Sequence, residues 1–543
     1  MTGLRMDISY ARVPNSTPLL LDYLYHFERV AEFYTAPPFK LSSYQDFAGK
    51  LSSLTISRQA LADILIRQNR EFDGSPQVFE NIDRLKKVGT FAVVTGQQIG
   101  LFSGPAFTLY KALTAVRLAQ WLSENGLPSV PVFWLATEDH DLDEVSKAAV
   151  LDEDYGLVAV SSPGDRPAAH SPVGMVKLTP AITETLGLLE SSLPAGGPRD
   201  EVLRDLRDTY QPDATWSQAF AKFMARLFGR WGVILVDSCD KELHQLSARA
   251  YTRALDEPDA LRRRLLDRSA KLTQSGYHSQ VFVADDSTLL FQIRDGARQS
   301  LHHRNGYFRG GDQDGISVAD LMSRFETDPL TLSGNVLLRP VIQDTLLPTL
   351  AYVAGPSELA YLGQAQSIYE AFGRPMPVVF PRAAFTLVDA RSQRILDKYQ
   401  ISVEDVWQGE EPLGRKIAAA GFSVGWDQRF DAAGQDITRI FAALAKDIET
   451  LDPTLLDPLK NTGEKMVQQL EKLRAKLSRA ALQRSDLLTK HQRALLHFFY
   501  PGQELQERQV SGIYFLARAG YGLLDRILGA IQVDSSDHQI LQY

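Results

Sequence analysis

Two neighbouring stretches of the chain determine the predicted fold. Residues 91–122 read FAVVTGQQIGLFSGPAFTLYKALTAVRLAQWL, and residues 130–143 read VPVFWLATEDHDLD. Each contains a short apolar run followed by a dense polar cluster, and a helix-compatible pattern separates the two runs. Such runs, bounded by glycine and separated by a helix, are typical of buried parallel strands. Because ligands of these sheets bind where strands end, the clusters after Val94 and Leu135 are expected to share one crevice. The pattern therefore indicates an enzyme with a nucleotide-binding type of core.

The chain up to about residue 390 alternates between helical and extended patterns. Residues 1 to about 89 have helical periodicity, and a further helix is predicted from about residue 104 to 125. Strands are predicted at residues 90–94, 130–136, 158–161, 232–237, 280–283, 289–293, 336–339 and 378–381. Pro- and Gly-rich segments at residues 163–172 and 194–198 are predicted to be surface loops. This alternation predicts an α/β fold with a parallel sheet.

The composition is that of a globular protein with two or three units. The chain has 543 residues, of which 44% are hydrophobic and 23% charged, so it can bury a sizeable core. A formal net charge of −8 with no basic block gives no support to nucleic-acid binding. No run approaches the roughly 18 apolar residues that span a bilayer, and the N-terminus has no signal-peptide pattern. We therefore expect a cytoplasmic protein with no membrane partner.

The cysteine and histidine content argues against a metal site built from cysteine or histidine ligands. The single cysteine, Cys239, leaves no intrachain disulfide and is expected to pack as a small hydrophobe rather than act as a nucleophile. None of the ten histidines has the HExxH spacing or another metal-ligand spacing. No metal-ligating residue is predicted.

Past residue 390 the pattern changes to long helices. Apolar residues step alternately by four and three positions in two segments, namely Ile437, Phe441, Leu444, Ile448 and Leu451, then Met466, Leu470, Leu473, Leu477 and Ala480. This spacing is the heptad seam of a coiled coil. Pro453 and Pro458 between the segments predict an antiparallel helical hairpin and, with so much apolar surface, a homodimer. An ordinary amphipathic helix against the core remains the alternative. A final helix is predicted at residues 510–531.

The first polar cluster follows the first predicted core strand. It contains Gly96, Gln97, Gln98, Gly100, Ser103 and Gly104, just before Pro105 at the start of a predicted helix. Glycines allow close approach of a ligand, and a helix start offers free N–H groups to a phosphate or carboxylate. The cluster matches neither GxGxxG nor GxxxxGK[ST]. A tight strand-to-helix turn that needs glycine for steric reasons is the alternative.

The second cluster, Glu138, Asp139, His140 and Asp141, follows the second core strand. Acids around one histidine can hold a cationic substrate group, bind Mg²⁺ or tune the histidine as an acid or base. Helix capping is the alternative, above all for Asp141.

A third region carries side chains suited to anionic ligands. Arg339, taken to lie at a strand end, could clamp a carboxylate, or could pair with an acid of its own segment. The other candidates here are Gln343, Asp344, Gly355 and Glu358, with Arg382 after a later apolar run.

Four segments resemble one known family. They are TGQQIGLFSGPAFTLYKA, VFWLATEDHDLDEV, NVLLRPVIQDTLLPTLAYVAGPSELAYL and PGQELQER. In the same order, and over nearly the whole chain, they resemble the cysteine ligases of bacillithiol biosynthesis, the BshC family. The resemblance implies a Rossmann-like core with connecting inserts, an α-helical coiled-coil domain, dimerisation and a nucleotide site. The expected domains are residues 1–390 (core, N-terminal helices and inserts), 391–500 (coiled coil) and 501–543 (a helix packing back on the core).

The resemblance also implies a reaction, the joining of the L-cysteine carboxyl to the amine of glucosaminyl-malate as an amide. This step is uphill in water, so activation by ATP through a cysteinyl-adenylate or an acyl phosphate is expected. The candidate catalytic residues are His140, Asp139 and Glu138. The candidate substrate-binding residues are Gln97, Gln98, Gly104, Asp141, Arg339, Gln343, Asp344, Gly355, Glu358 and Arg382. The candidates for ATP or ADP, with Mg²⁺ as a companion, are Gly96, Gly100, Ser103, Gln506 and Arg508.

Two other interpretations stay open at this point. One is a different nucleotide-dependent ligase or nucleotidyltransferase on the same scaffold. The other is a non-catalytic partner in thiol metabolism, whose coiled coil recruits another enzyme.

Overall fold

The computed structural model describes residues 5–52, 56–421, 425–535 and 537–543. The chain divides into two compact units. The first comprises Met1–Glu153, Val158–Thr386 and Glu507–Leu541, and the second comprises Asp154–Leu157, Leu387–Gln506 and Gln542–Tyr543.

Strands and helices alternate in the first unit, whereas helices dominate the second. The strands are β1 (Arg5–Ile8), β2 (Phe91–Gln97), β3 (Ser129–Leu135), β4 (Lys147–Leu151), β5 (Leu157–Ser161), β6 (Gly164–Asp165), β7 (Lys177–Leu178), β8 (Ile234–Asp237), β9 (Ser287–Arg294), β10 (Ala297–Arg304), β11 (Tyr307–Gly310), β12 (Gln313–Ile316), β13 (Leu332–Gly334), β14 (Thr349–Ala354), β15 (Val378–Pro381), β16 (Phe385–Val388) and β17 (His538–Gln542). The α-helices are α1 (Pro18–Tyr25), α2 (Leu41–Leu51), α3 (Arg58–Glu71), α4 (Pro76–Lys86), α5 (Phe107–Glu124), α6 (Leu142–Val145), α7 (Ala181–Ser192), α8 (Gly197–Thr209), α9 (Trp216–Phe228), α10 (Lys241–Leu246), α11 (Ala248–Asp256), α12 (Pro258–Gln274), α13 (Val318–Thr327), α14 (Arg339–Leu346), α15 (Pro356–Ala371), α16 (Ala390–Tyr399), α17 (Val403–Trp407), α18 (Glu410–Gly421), α19 (Trp426–Leu451), α20 (Leu456–Gln483), α21 (Asp486–Phe499), α22 (Gln506–Gln509), α23 (Gly512–Ala519) and α24 (Gly522–Ala530).

A five-stranded parallel sheet, in the order β8-β3-β2-β14-β15, forms the centre of the first unit. The strands predicted at residues 90–94, 130–136, 232–237 and 378–381 are confirmed as β2, β3, β8 and β15. The strand order runs outward from β2, first to β8 and later to β15, so it reverses between β2 and β14. This is the doubly wound order of Rossmann-like sheets, whose ligands bind at the reversal.

Both faces of this sheet are covered, which explains why its strands are almost continuously apolar. Every residue of β3 is buried. Helices α2 and α5 place Phe47 and Leu118 in one core with Val93 and Val353 of the sheet. Pro131 is tolerated within β3 because β8 pairs with β3 only from Val132 onward.

A second, antiparallel sheet has the order β12-β11-β10-β9-β13. Asp295 and Gly296 join β9 to β10, and Asn305 and Gly306 join β10 to β11, with positive φ at all four residues. Such two-residue turns are typical of tight hairpins. The strand predicted at residues 289–293 is confirmed within β9, and that at 158–161 within β5, but β10 to β13 were not predicted.

Two predicted strands are wrong for identifiable reasons. At residues 280–283, the backbone N–H and C=O of Val281 bond to the side-chain amide of Gln364 at 2.8 and 3.0 Å, in place of a neighbouring strand. At residues 336–339, Oδ1 of Asn335 accepts hydrogen bonds from the N–H groups of Leu337 and Leu338 and turns the chain. Helix α14 follows this turn, so Arg339 begins a helix rather than ending a strand.

Other boundaries also differ from the prediction. The helix predicted at residues 510–531 is divided into α23 and α24, because Gly520 adopts φ +74° and ends α23. The N-terminal region contains α1 to α4 as predicted, but it begins with β1, which pairs antiparallel with β17. The segment 163–172, predicted as a loop, contains the two-residue strand β6.

The longest helices of the second unit, α19 and α20, form the predicted antiparallel hairpin. Arg474 on α20 bonds to Asp431 on α19 at 2.8 Å. Gly463 lies eleven residues before Arg474 and faces Phe441, which lies ten residues after Asp431, so the two helices run in opposite directions. The reversal lies at residues 452–455, and Pro458 belongs to the first turn of α20 rather than to the break. No residue of α19 is buried. No helix among the described residues has both the length and the hydropathy to span a bilayer.

Candidate functional site

A cavity of about 650 Å³ lies at the carboxyl ends of β2, β3 and β14, where the strand order reverses. Gln97 at the end of β2, His140 after β3 and Gly355 after β14 all line it. The expected crevice is therefore present, and its third side comes from β14, which was not predicted. The sequence-predicted site residues that line the cavity are Gly96, Gln97, Gln98, Glu138, Asp139, His140, Arg339, Gly355, Glu358, Arg382 and Arg508. Those that do not are Gly100, Ser103, Gly104, Asp141, Gln343, Asp344 and Gln506.

The glycine-rich turn after β2 packs inside the protein. Gly104 adopts φ +68°, and a Cβ added to Gly100 would lie 2.8 Å from Cα of Gly104. The carbonyl of Gly104 accepts the Ser511 hydroxyl at 3.0 Å, and Ser103 is fully buried. Close approach of two backbone segments accounts for both glycines, as the steric alternative predicts.

Two further candidates have local structural partners. Asp141 caps α6, because its Oδ1 accepts the N–H of Glu144 at 3.0 Å. Within the second unit, the side-chain amide of Gln506 bonds to the N–H and C=O of Leu387 and to the C=O of Phe498.

Arg339 extends from the start of α14 to the cavity wall, between two tyrosines. Its Nη2 donates to the hydroxyls of Tyr352 and Tyr361, each at 3.3 Å, and its Nη1 donates to Oε1 of Gln343 at 3.1 Å. Gln343 in turn donates to the buried carboxylate of Asp344 at 3.0 Å, so both residues support Arg339 from behind. No carboxylate forms an ion pair with Arg339 among the described residues. Its charge is therefore suited to an anionic ligand.

Glu358, in the first turn of α15, is held at the cavity by a buried lysine. The ammonium of Lys111 lies 2.5 Å from Glu358 Oε2, and the Tyr352 hydroxyl donates to Glu358 Oε1 at 2.8 Å. Lys111 also donates to the carbonyl of Gly96 and, at 3.0 Å, to Oε1 of Gln97. Burial lowers the pKa of Lys111, although Glu358 opposes that shift. Lys111 was not predicted, and the signal for it is a lysine on the buried face of α5.

Acidic side chains border another part of the cavity. Nε2 of Gln98 donates to Oδ2 of Asp139 at 2.6 Å and to Oε2 of Glu144 at 3.0 Å. Oδ1 of Asp139 accepts the backbone N–H of His140 at 2.7 Å and lies 3.7 Å from Nδ1 of that ring. Burial lowers the pKa of His140, and Arg298 lowers it further against the opposing charge of Asp139. His140 is therefore a neutral imidazole near pH 7, suited to taking up a proton.

Arg298 reaches this region from β10. Its Nη1 lies 3.4 Å from Nδ1 of His140, and its other nitrogens donate to Oγ of Ser333 at 2.9 Å and to the C=O of Gly334 at 3.0 Å. The guanidinium lies 3.8 Å from the centre of the Phe291 ring. Among the described residues Arg298 has no carboxylate ion-pair partner. It was missed because β10 was missed, although the Asp295-Gly296 dipeptide signals the hairpin that carries it.

Arg382 lines the cavity but is already paired. Its Nη1 and Nη2 donate to the two carboxylate oxygens of Glu507 at 2.9 and 2.7 Å, and both side chains are 3% exposed. Glu507 also accepts the N–H of Phe385 at 3.1 Å. This buried bidentate pair favours a structural role for Arg382.

Cys239 does not line the cavity. Burial, followed by the charges of Asp237 and Glu138, raises the pKa of its thiol well above the ordinary value. A protonated thiol is a poor nucleophile, in agreement with the packing role predicted for Cys239.

Helix α15 builds two parts of the cavity wall. Its start contributes Gly355 and Glu358, and Gln364, two turns later, bonds to both backbone groups of Val281. Val281 also lines the cavity, and Gln364 is fully buried. Helix α15 thus fixes the distance between Glu358 at one part of the cavity wall and Val281 at the other.

Within the described ranges no group of three or more His, Cys, Asp or Glu side chains could hold a metal ion. Asp139 and Glu144 could still supply one or two carboxylates to Mg²⁺, an ion that commonly completes its shell with water and phosphate oxygens.

Comparison with known proteins gives matches over both units. The family models described as "Bacillithiol biosynthesis BshC, N-terminal Rossmann-like domain" and "Bacillithiol biosynthesis BshC, C-terminal coiled-coil domain" match residues 6–383 and 385–543. A relative from Koribacter versatilis is 37% identical over 528 residues, covering 96% of this chain and 97% of its own. One from Solibacter usitatus is 37% identical over 97% of this chain and 98% of its own, and one from Salinibacter ruber is 33% identical over 96% of each. All three are named "Putative cysteine ligase BshC".

Proposed function

The chain belongs to the BshC family, and from this premise we propose that it ligates L-cysteine to glucosaminyl-malate by forming an amide in bacillithiol biosynthesis. One observation carries the proposal. Acidic side chains, a neutral histidine and two arginines that form no ion pair with a described carboxylate line a single cavity at the reversal of a Rossmann-like sheet. The ammonium group of cysteine is positive and the malate carboxylates are negative, so a cavity that binds both substrates needs side chains of both signs of charge.

The acidic part of the cavity suits the ammonium group of cysteine. Glu138 and Asp139 follow β3 side by side, and both line the cavity. A carboxylate that receives an ammonium forms a charge-assisted hydrogen bond, stronger than one between neutral groups. In this proposal His140, held between Asp139 and Arg298, accepts the proton that the sugar amine loses when it attacks the activated cysteine carbonyl.

The two arginines suit the malate carboxylates of the acceptor. Arg339 and Arg298 offer planar guanidinium groups to the cavity, and each is oriented by neutral acceptors. Because a guanidinium binds a carboxylate through two parallel hydrogen bonds, such a site selects a dicarboxylate over a neutral sugar.

Activation of the cysteine carboxyl by ATP completes the proposal. The first turn of α15 has N–H groups without helical partners at Ser357 and Glu358, and both residues line the cavity together with Arg508. These groups would bind phosphate oxygens, with Mg²⁺ as the companion cation. Attack of the carboxylate on the nucleotide releases pyrophosphate or ADP, and amide formation then releases AMP or phosphate. A cytoplasmic location and a homodimer are part of the same proposal.

Mass spectrometry of a complete reaction tests this function. The full-length protein is incubated with L-cysteine, glucosaminyl-malate and ATP-Mg²⁺, and each component is omitted in turn. The amide product should require all of them, and the appearance of AMP or ADP identifies the activated species. ATP turnover with another amino acid, but none with cysteine, would favour a different ligase on this scaffold. Nucleotide binding without any product would favour the non-catalytic partner.

Replacement of the two arginines tests the acceptor site. Arg339→Gln and Arg298→Gln should each raise the KM for glucosaminyl-malate about tenfold or more, because a charge-assisted hydrogen bond contributes about 1.5–3 kcal/mol. The control is Arg294→Gln, since Arg294 lies on β9 next to the same hairpin but does not line the cavity. Unchanged KM values in both cavity variants would contradict the assignment.

A further inference from the structure

His244 lies on α10, behind the cavity wall, and is 3% exposed. Each of its ring nitrogens faces a backbone carbonyl oxygen, which can only accept a hydrogen bond. Nδ1 lies 3.0 Å from the carbonyl oxygen of Pro329, and Nε2 lies 3.1 Å from that of Ser238 and 3.2 Å from Oε1 of Glu138. With the Glu138 carboxylate beside Nε2, this arrangement favours a proton on each nitrogen, that is, an imidazolium ring.

The surrounding groups favour this charge. Burial alone would lower the pKa of His244, but the nearby Glu138 carboxylate and the carbonyls of Pro329 and Ser238 raise it above its ordinary value. The Tyr251 ring stacks on the imidazole with centroids 5.4 Å apart, and its hydroxyl lies 3.4 Å from Nδ1. Burial raises the pKa of both Tyr251 and Cys239, so these two neighbours remain neutral. Two further titratable groups face this cluster, the Arg298 guanidinium and the Asp237 carboxyl beside Cys239.

Glu138 joins this buried cluster to the cavity. Its Oε1 is fully buried against His244, whereas the residue itself lines the cavity. The Nε2 proton of His244 is shared with the carbonyl of Ser238, so its contact with Glu138 is an ion pair rather than a linear hydrogen bond. The other oxygen of Glu138 receives no hydrogen bond from any residue that the structure describes. It is therefore available to a donor in the cavity.

We infer that His244 is a positioning residue, which orients the Glu138 carboxylate so that it receives the ammonium group of the amino-acid substrate. A buried carboxylate is costly without a partner of opposite charge. His244 supplies that charge from the side away from the cavity and leaves the cavity-facing oxygen free. This inference rests on the proposed function and adds to it a residue that never touches the substrate.

Steady-state kinetics with the full-length protein separate positioning from structural damage. His244→Gln should raise the KM for L-cysteine about tenfold, which corresponds to about 1.4 kcal/mol, and leave the KM for glucosaminyl-malate unchanged. His303→Gln is the matched control, because His303 also pairs with a carboxylate, at 3.0 Å, but that carboxylate, Asp259, does not line the cavity. Both KM values should stay unchanged in the control.

A double-mutant cycle asks whether His244 acts through Glu138. Glu138→Gln should by itself raise the KM for cysteine about tenfold, and the double variant should show about the same tenfold rise. A rise of about a hundredfold in the double variant would mean independent action and would overturn the inference. Equal changes in both KM values would assign His244→Gln to general damage and would overturn it as well.

Histidine NMR tests the pair without any turnover. In protein labelled with ¹⁵N-histidine, both ring nitrogens of His244 should be protonated at neutral pH, and Glu138→Gln should remove one of these protons. If the wild-type protein makes no amide, the proposed function fails, whereas the NMR result still decides the protonation of His244. A His244 ring with one protonated nitrogen in the wild type would refute the inference.

Discussion

Replacing Arg382 with glutamine should reduce stability rather than substrate affinity. The guanidinium and the Glu507 carboxylate are each 3% exposed and are joined by hydrogen bonds of 2.7 and 2.9 Å. Removing one partner of such a buried pair costs about 3–5 kcal/mol, because the other charge is left without compensation. The N–H of Phe385 would still donate to Glu507, which favours the lower end of that range.

Urea unfolding of the full-length protein measures this loss as a lower midpoint at unchanged slope. The double variant Arg382→Met/Glu507→Leu should be less destabilised than Arg382→Gln, since it removes both buried charges. Arg294→Gln serves as an exposed-arginine control and should change stability by less than about 0.5 kcal/mol. A loss below about 1 kcal/mol in Arg382→Gln, together with a higher KM for either substrate, would refute the structural assignment.

The pair also predicts how this stability depends on pH. Burial alone would raise the pKa of Glu507, but Arg382 lowers it below its ordinary value. The stabilisation is therefore present above the unfolded-state pKa of glutamic acid, about 4.3, and is lost as the pH falls through the folded-state pKa. The difference in stability between wild type and Arg382→Gln should accordingly shrink in acid.

Three further predictions concern other parts of the molecule. His140→Gln should lower turnover by about 10²–10⁴-fold with unchanged thermal unfolding. Cys239→Ala should leave turnover nearly unchanged. The opposite pattern in parallel assays of the two variants would point to a thiol mechanism. Because Glu138 raises the pKa of His244, the stabilisation from that pair is complete below about pH 6.5 and is lost as the pH rises through the folded-state value. Thermal unfolding of wild type and His244→Gln should therefore converge at alkaline pH, and a gap that widens there would reverse this assignment. Light scattering should give the mass of a homodimer, and Leu473→Glu, at a side chain 56% exposed on α20, should yield a monomer while Val88→Glu does not. A monomeric wild type at micromolar concentration would contradict this prediction.

The central strands could be predicted because burial on both faces leaves a strong local signal. β2 begins with the apolar run FAVV and β3 contains the run VPVFWL, both strands are buried along almost their whole length, and polar residues follow each run. β14 escaped prediction although its TLAYVA sequence is equally buried. Its neighbour β2 lies more than two hundred residues earlier in the chain. The pairing of β14 with β2 is therefore a long-range contact, which the local pattern of apolar residues does not predict.

The candidate site could be predicted only where residues follow a strand end directly. Glu138, Asp139 and His140 fulfil that condition. Arg298 reaches the cavity from another sheet, and Lys111 reaches it from the second turn of α5, so their placement depends on tertiary structure. Gly104 was predicted as a site residue because it stands before a helix start, but its carbonyl is covered by Ser511, a residue about four hundred positions later in the chain.

The attachment of Val281 to α15 has a consequence for changing the specificity of this site. From Pro356 to Gln364 the helix advances eight residues at about 1.5 Å each, or roughly 12 Å, and a helix does not stretch. Inserting one residue between them would rotate Gln364 by about 100° and detach it from Val281, whereas enlarging the side chain at position 281 would leave the helix intact. Under the proposed function, acceptance of a shorter or longer acceptor should therefore be adjustable at Val281 without altering the sheet, which makes this position the first choice for changing the amine that the site accepts.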